Sequence, residues 1–177
     1  VSQFISKKEV ADFNIRLIHQ DNQGVSVARN KGVAESKYNY VCFLDADDEW
    51  YPNFVSKINN LMTLYPNGNM YSLQHEVCFD NEKNTRNKCF YKNGFKGNVE
   101  NFFKASMVGS IVNSSKVCVN KTEFTKIGGF PVGYKAGEDL FIWIELALKG
   151  KVIFDNTVCV RINVVSDDSR TGRGLSI

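Results

Sequence analysis

The chain has 177 residues, 43% of them apolar, enough for one domain with a buried core. Its 22 Lys and Arg against 19 Asp and Glu leave a net charge of +3, too mild a balance to indicate a nucleic-acid partner. The cysteines (Cys42, Cys78, Cys89, Cys118 and Cys159) are odd in number and form no Cys-x-x-Cys pair, which argues against a disulfide framework or zinc knuckle and for free thiols in a reducing cytosol. No apolar run reaches the ~18 residues that a membrane span needs.

The opening, VSQFISKKEV, reads as helical and lacks Met, so the chain is expected to be a fragment. NIRLIHQDN (14–22) alternates Ile15, Leu17 and His19 on one face and predicts a strand. QGVSVARNKGVAESK follows as a helix, with Val25, Ala28 and Gly32 at helical spacing suggesting close packing along that face. YNYVCFLD (38–45) is a continuous apolar strand of the kind buried in an α/β sheet. Residues 53–65 form an amphipathic helix with Phe54, Ile58, Leu61, Met62 and Tyr65 on one face, stopped by Pro66-Asn67-Gly68. Strand, helix, strand, helix implies parallel pairing.

Further on, MYSLQHEVCF reads as a strand, 80–88 as a polar loop, VENFFKAS as a short helix and GSIVNSSKVCVNK as strand-like. EDLFIWIELALKG (138–150) is a strong helix, with Leu140, Trp143, Ile144, Ala147 and Leu148 inward and Gly150 at its C-terminal end. Two short strands, KVIF and VCVRI, precede a polar tail.

The acids in CFLDADDEWYP (42–52) carry the chemistry. Asp45, Asp47, Asp48 and Glu49 fall within five positions at the end of the most buried strand. Like charges so close need a positive group or open water. In an open α/β sheet, ligands sit beyond the carboxyl ends of the strands. Loop carboxylates are hard oxygen ligands suited to Mg²⁺ or Mn²⁺. The plainer reading makes Asp48 a cap for the helix near Pro52. An EF-hand loop from Asp45 needs Gly sixth and Glu twelfth, where this chain has Trp50 and Ser56. Haloacid-dehalogenase-like phosphatases are similar in starting with Asp-x-Asp, but this chain departs from their pattern at Glu49.

The wider stretch resembles the family-2 glycosyltransferases, inverting sugar transferases of the GT-A fold. The resemblance rests on Asn22, Gly24, Ala28-Arg29-Asn30, Gly32, Asp45-Ala46-Asp47-Asp48, Trp50 and Pro52, and on the later Gly-Gly-Phe with Glu138-Asp139 opening a helix. It runs from about Asn14 to Ser166. It implies a Rossmann-like α/β fold with a mostly parallel central sheet flanked by helices. It also implies N-terminal incompleteness, with two strands missing between the strand at 14–22 and that at 38–45. Residues 1–66 would then form the donor and metal half, 67–165 the acceptor side, and 166–177 a flexible tail.

By the same resemblance, Asp45 and Asp47 hold Mn²⁺ or Mg²⁺. Asn22, Gly24, Arg29 and Asp45 meet a nucleotide-diphosphate sugar, a UDP-sugar by preference. Asp139 is the catalytic base, with Glu138 beside it. The acceptor is a saccharide or lipid-linked saccharide, and the setting is bacterial surface polysaccharide or glycolipid assembly. That setting implies a cytoplasmic enzyme in peripheral contact with the inner membrane face, and it leaves a homodimer open. Trp50 and Trp143 can stack on sugars, although Trp143 also reads as core. The family often has Arg-x-His near the C-terminus, and here Arg161-Ile162-Asn163 replaces the His ligand with an amide. The alternative is a non-catalytic nucleotide-sugar-binding or partner-binding segment of a larger synthase.

Overall fold

The computed structural model describes residues 15–79, 84–134 and 136–164. The opening segment expected to be helical and the tail at 166–177 lie outside the described residues. A seven-stranded sheet consists of β1 (Tyr40–Cys42), β2 (Glu49–Trp50), β3 (Gly68–Phe79), β4 (Thr85–Arg86), β5 (Lys96–Asn98), β6 (Val117–Asn120) and β7 (Lys151–Val164). Its order is β1-β6-β3-β7-β2, with β4 beside β3 and β5 beside β7. The helices are α1 (Val25–Glu35), α2 (Phe54–Leu64), α3 (Phe102–Val108), α4 (Lys121–Lys126) and α5 (Glu138–Lys149).

Side-chain alternation along the long central strands makes three layers. Tyr71, Leu73, Ile153 and Val160 pack with Phe54, Ile58 and Leu61 of α2. Their neighbours Met70, Val152 and Phe154 pack on the other face, with Phe102 and Ala105 of α3 and Ile142, Trp143 and Leu146 of α5.

Several expectations are corrected. The sheet is not mostly parallel among the described residues: β3 with β7 is parallel, and the other five pairings are antiparallel. The short strands β1 and β2 take as partners β6 and β7, which come from much later in the chain, so helix-to-strand order does not set their direction. Residues 15–24 form no strand and are exposed. A strand exists through its ladder, and β1, the strand nearest in sequence, pairs with β6 at the end of the sheet. On α1, Val25, Ala28 and Gly32 face outward, and Ser26 and Val33 are the buried positions.

The inward face of α5 is also turned from the expected one. Leu140 and Leu148 are 56% and 63% exposed, while Ile142 and Leu146 are fully buried and Ile144 and Ala147 pack at the margin. So many apolar residues in one helix give the period but not its phase. The two expected end strands are one, β7. The polar interruption stays in the strand because Asn156 finds partners inside, its Nδ2 donating to the carbonyls of Tyr91 and Lys92 at 2.8 and 2.9 Å. Gly150 caps α5 in extended conformation rather than left-handed, and it is there for close approach. A Cβ would lie 2.2 Å from Asn69 Nδ2.

Candidate active site

The site grows from β1. Three residues past Cys42 the chain leaves the strand and bends, with Asp48 N–H returning to the Asp45 carbonyl at 3.1 Å. Strand register supplies the neighbours of this turn. Extending the antiparallel pairs Tyr40–Asn120, Val41–Val119 and Cys42–Cys118 brings Asp45 opposite Ser115. Extending Trp50–Val160 and Glu49–Arg161 the other way brings Asp47 opposite Asn163.

Two of the acids have a positive partner: Arg161 Nη1 lies 3.6 Å from Glu49 Oε1, and Arg29 meets Asp45. Arg29 Nη2 lies 2.6 Å from Asp45 Oδ1 and its Nη1 lies 3.4 Å from Glu138 Oε1. Its side chain is 13% exposed, and its guanidinium carbon sits 5.2 Å from the Phe130 ring centroid. In that partly desolvated place the pairs interact more strongly than at an open surface. One guanidinium therefore gathers the turn after β1 and the first turn of α5.

Arg29 is held in register by the next residue. Asn30 Oδ1 accepts the Phe130 N–H and Asn30 Nδ2 donates to the Phe130 carbonyl, both at 2.8 Å. This clasp ties α1 to the Gly-Gly-Phe loop. Gly129 has φ +72°, and a Cβ there would lie 2.6 Å from Asn30 Oδ1, so both conformation and space require glycine.

The remaining acids divide the work. Asp48 is turned inward, its Oδ2 accepting from Ser115 Oγ at 2.5 Å and its Oδ1 from Asn163 N–H at 3.1 Å. Burial pushes its carboxyl above the usual range, against those two hydrogen bonds, which favour the charged form. This corrects the capping expectation, because the residue before α2 is Asn53 and no side chain caps that helix. Asp47 is exposed and Asp45 half-buried. Two adjoining hollows of about 350 and 430 Å³ share Val25, Arg29, Asp45 and Ala46, and Asp47 lines the second.

Asp139, half-buried beside Glu138, accepts its neighbour Leu140 N–H at Oδ1, 2.7 Å away. Asn22 and Gly24 form an exposed turn before α1, with Gly24 N–H donating to Asn22 Oδ1 at 3.1 Å. Among the described residues, neither side chain is hydrogen-bonded or ion-paired to the Asp45 turn. Trp50 is occupied structurally: it stacks on Phe54 at 4.1 Å between centroids and donates Nε1–H to the Ser115 carbonyl at 2.6 Å. Trp143 is core, 2% exposed.

The sequence reading missed Ser115, the Phe130 ring under Arg29 and the Asn30 clasp. Asn163 is better defined than expected. Its Nδ2 donates to the Asp47 carbonyl at 2.7 Å, and its Oδ1 is a buried acceptor without a hydrogen-bond partner among the described residues.

Comparison with known proteins adds the family. Residues 2–113 match the family model for glycosyl transferase family 2. An uncharacterised glycosyltransferase of Rickettsia felis (strain ATCC VR-1525 / URRWXCal2) is 28% identical over 141 residues, 80% of this chain and 22% of the relative. The uncharacterised glycosyltransferase YibD of Escherichia coli (strain K12) is 49% identical over 51 residues, 29% of this chain and 14% of that protein. The chain thus spans less than a quarter of either of these relatives. Among solved structures, S. aureus TarS 1-349 in complex with UDP-GlcNAc is similar with a TM-score of 0.75 at 11% identity, covering 98% of this chain and 49% of that one. That likeness speaks for the fold. With the family model matched over more than half its length, the chain belongs to glycosyl transferase family 2, and its architecture is the GT-A fold.

Proposed function

We propose that the protein transfers a sugar, with inversion, from a nucleotide-diphosphate sugar to a hydroxyl of a saccharide or lipid-linked saccharide. The observation that carries this reading is the joining of Asp45 and Glu138 on Arg29. It supports a reading in which a diphosphate end and a base end share one group.

The donor side is the Asp45–Asp47 turn. Among the described residues no three His, Cys, Asp or Glu side chains cluster as a ready-made metal cage. Mg²⁺ needs less than that, since it is commonly held by one or two carboxylates and completed by water and substrate phosphate. Asp45 and Asp47 fit that role. Asp48 is taken up by Ser115 and Asn163, and the unsatisfied Asn163 Oδ1 adds an oxygen acceptor beside the turn. Mn²⁺ or Mg²⁺ bound there would neutralise the negative charge of the leaving diphosphate. Arg29 already neutralises Asp45 in part, and it is placed to meet the diphosphate when the donor enters. The TarS complex suggests UDP-GlcNAc as the first donor to try.

The acceptor side is the start of α5. Glu138 is committed to Arg29, which leaves Asp139 as the base. Asp139 takes the proton of the acceptor hydroxyl as that oxygen bonds to the anomeric carbon. On the opposite side the bond to the diphosphate breaks, and the diphosphate leaves with the electron pair. The carboxyl that this task needs stands in the first turn of α5, where its Oδ1 accepts the Leu140 N–H. The same hydrogen bond also suits a purely structural Asp139, which keeps a second reading: a nucleotide-sugar-binding segment of a larger synthase. Among the described residues no helix is long and apolar enough to cross a membrane. For the setting we infer surface-polysaccharide or glycolipid assembly at the cytoplasmic membrane face.

Calorimetry with UDP-GlcNAc, with and without Mn²⁺, tests the donor half. Asp45→Ala and Asp47→Ala are expected to abolish the metal-dependent part of binding, the exposed Asp47 with little change in thermal stability and Asp45 with a measurable loss, because Arg29 gives up its nearer partner. Metal-dependent affinity equal to the wild type in both variants would overturn the assignment.

A further inference from the structure

Ser115 is 1% exposed and makes three hydrogen bonds to the segment that carries the acids. Its Oγ accepts the Asp45 N–H at 3.1 Å and donates to Asp48 Oδ2 at 2.5 Å, and its carbonyl receives the Trp50 indole N–H at 2.6 Å. A hydroxyl has one proton to give and lone pairs to receive. Here both capacities are used, in one direction each. From the other side of the turn, Asn163 donates its backbone N–H to Asp48 Oδ1 at 3.1 Å and its Nδ2 to the Asp47 carbonyl at 2.7 Å.

These contacts bind the turn at separate points. Asp45 is fixed through its amide, Asp47 through its carbonyl and Asp48 through both carboxylate oxygens. The proposed donor ligands Asp45 and Asp47 thus sit on a backbone clamped between the start of β6 and the end of β7. No fixed anchor of this kind is needed to end a strand, since a β-turn closes with its own backbone bond, present here between Asp48 and Asp45.

We propose that Ser115 is a positioning residue for the transfer reaction: with Asp48 and Asn163 it holds the Asp45–Asp47 backbone in its donor-binding arrangement before the donor arrives. This rests on the donor-binding reading given above. Residues that orient first ligands change affinity or activity by roughly 10- to 100-fold when removed. A clamp built in advance also spares the ordering that binding would otherwise have to impose.

The test uses Ser115→Ala, Ser115→Thr and Asp45→Ala in the full-length protein, with two readouts at a temperature where each variant is folded. Hydrogen exchange of the Asp45 amide reports the clamp without any ligand. Calorimetry with UDP-GlcNAc and Mn²⁺ reports its use. Ser115→Ala is expected to speed Asp45 amide exchange at least tenfold and to weaken Mn²⁺-dependent donor binding by roughly 10- to 100-fold. Ser115→Thr, which keeps a hydroxyl, is expected to restore both. Where Ser115→Ala fails to fold, Asp48→Asn carries the test, because its amide cannot accept at both oxygens, and the same losses are expected.

Wild-type affinity in Ser115→Ala beside lost affinity in Asp45→Ala would overturn the positioning role and leave the donor-binding reading standing. Equal donor binding by the wild type and Asp45→Ala, with or without Mn²⁺, would end both. Faster exchange with unchanged affinity would reduce Ser115 to a structural residue and overturn the proposal.

Discussion

At the residue scale, two amides do work that the sequence does not advertise. Asn30 follows Arg29 in a motif read only as part of a pattern, yet it satisfies both backbone groups of Phe130. Asn30→Ala leaves that half-buried N–H and carbonyl without their partner. An unmade buried bond costs about 1–3 kcal/mol. The variant is therefore expected to lose about 2 kcal/mol, seen as a lower urea midpoint at unchanged slope. A midpoint equal to the wild type would mean that the Gly-Gly-Phe loop does not depend on the clasp. The acids themselves were legible because their signal is local: four carboxylates within five positions of an apolar run require compensation wherever the chain folds. What compensates them was only partly legible. Arg29 is marked by its motif, whereas Ser115 and Asn163 are ordinary polar residues until strand register sets them opposite Asp45 and Asp47.

At the element scale, a helix's inward face is legible only where its apolar residues form a single clear stripe, and short or edge strands are hardly legible at all. α2 has three apolar residues on a single clear stripe, so Phe54, Ile58 and Leu61 are buried as expected. α5 is apolar on several sides, so its period is legible but its phase is not: Trp143 is buried as expected, with Ile142 and Leu146 in place of Leu140 and Leu148. α4 has six residues, too few to show a period, and is started by Asn120 Oδ1 accepting the Glu123 N–H at 3.2 Å. The interior of the sheet carries its own titratable pair. On β3, His75 meets Lys116 from the turn before β6, with Nζ 3.1 Å from Nδ1. Burial pushes the Lys116 amine down from 10.5 to about 7, and burial and the Lys116 charge push His75 down from 6.5 to about 3. Between about 3 and 6.5 at His75, and between about 7 and 10.5 at Lys116, the unfolded chain holds a proton that the folded chain does not. Stability therefore rises with pH across each window. Lys116→Met is expected to remove the upper rise, so that its urea midpoint gains less than the wild type's between about pH 7 and 9. An identical pH slope in the two proteins would contradict this.

At the scale of the whole molecule, the sheet brings the two acidic signatures to one place although they lie far apart in the chain. The turn after β1 and the first turn of α5 meet at Arg29, and the clasp from Asn30 ties the Gly-Gly-Phe loop to the same helix. The family and its α/β architecture were legible from joint motif spacing. Strand direction was not, because the pairings of β1 with β6 and of β2 with β7 join distant segments that no local pattern reports. The central claim is that this architecture performs transfer and does more than bind a donor. The most direct measurement is sugar transfer from UDP-GlcNAc by Asp139→Asn, set beside the donor affinity of the same variant. The substitution keeps size and most hydrogen bonding but removes the proton acceptor. Turnover is expected to fall by roughly 10²–10⁴ while donor affinity stays at the wild-type value, the pattern of an interaction used only in the transition state. Transfer at the wild-type rate, or loss of stability and donor binding together, would contradict the account.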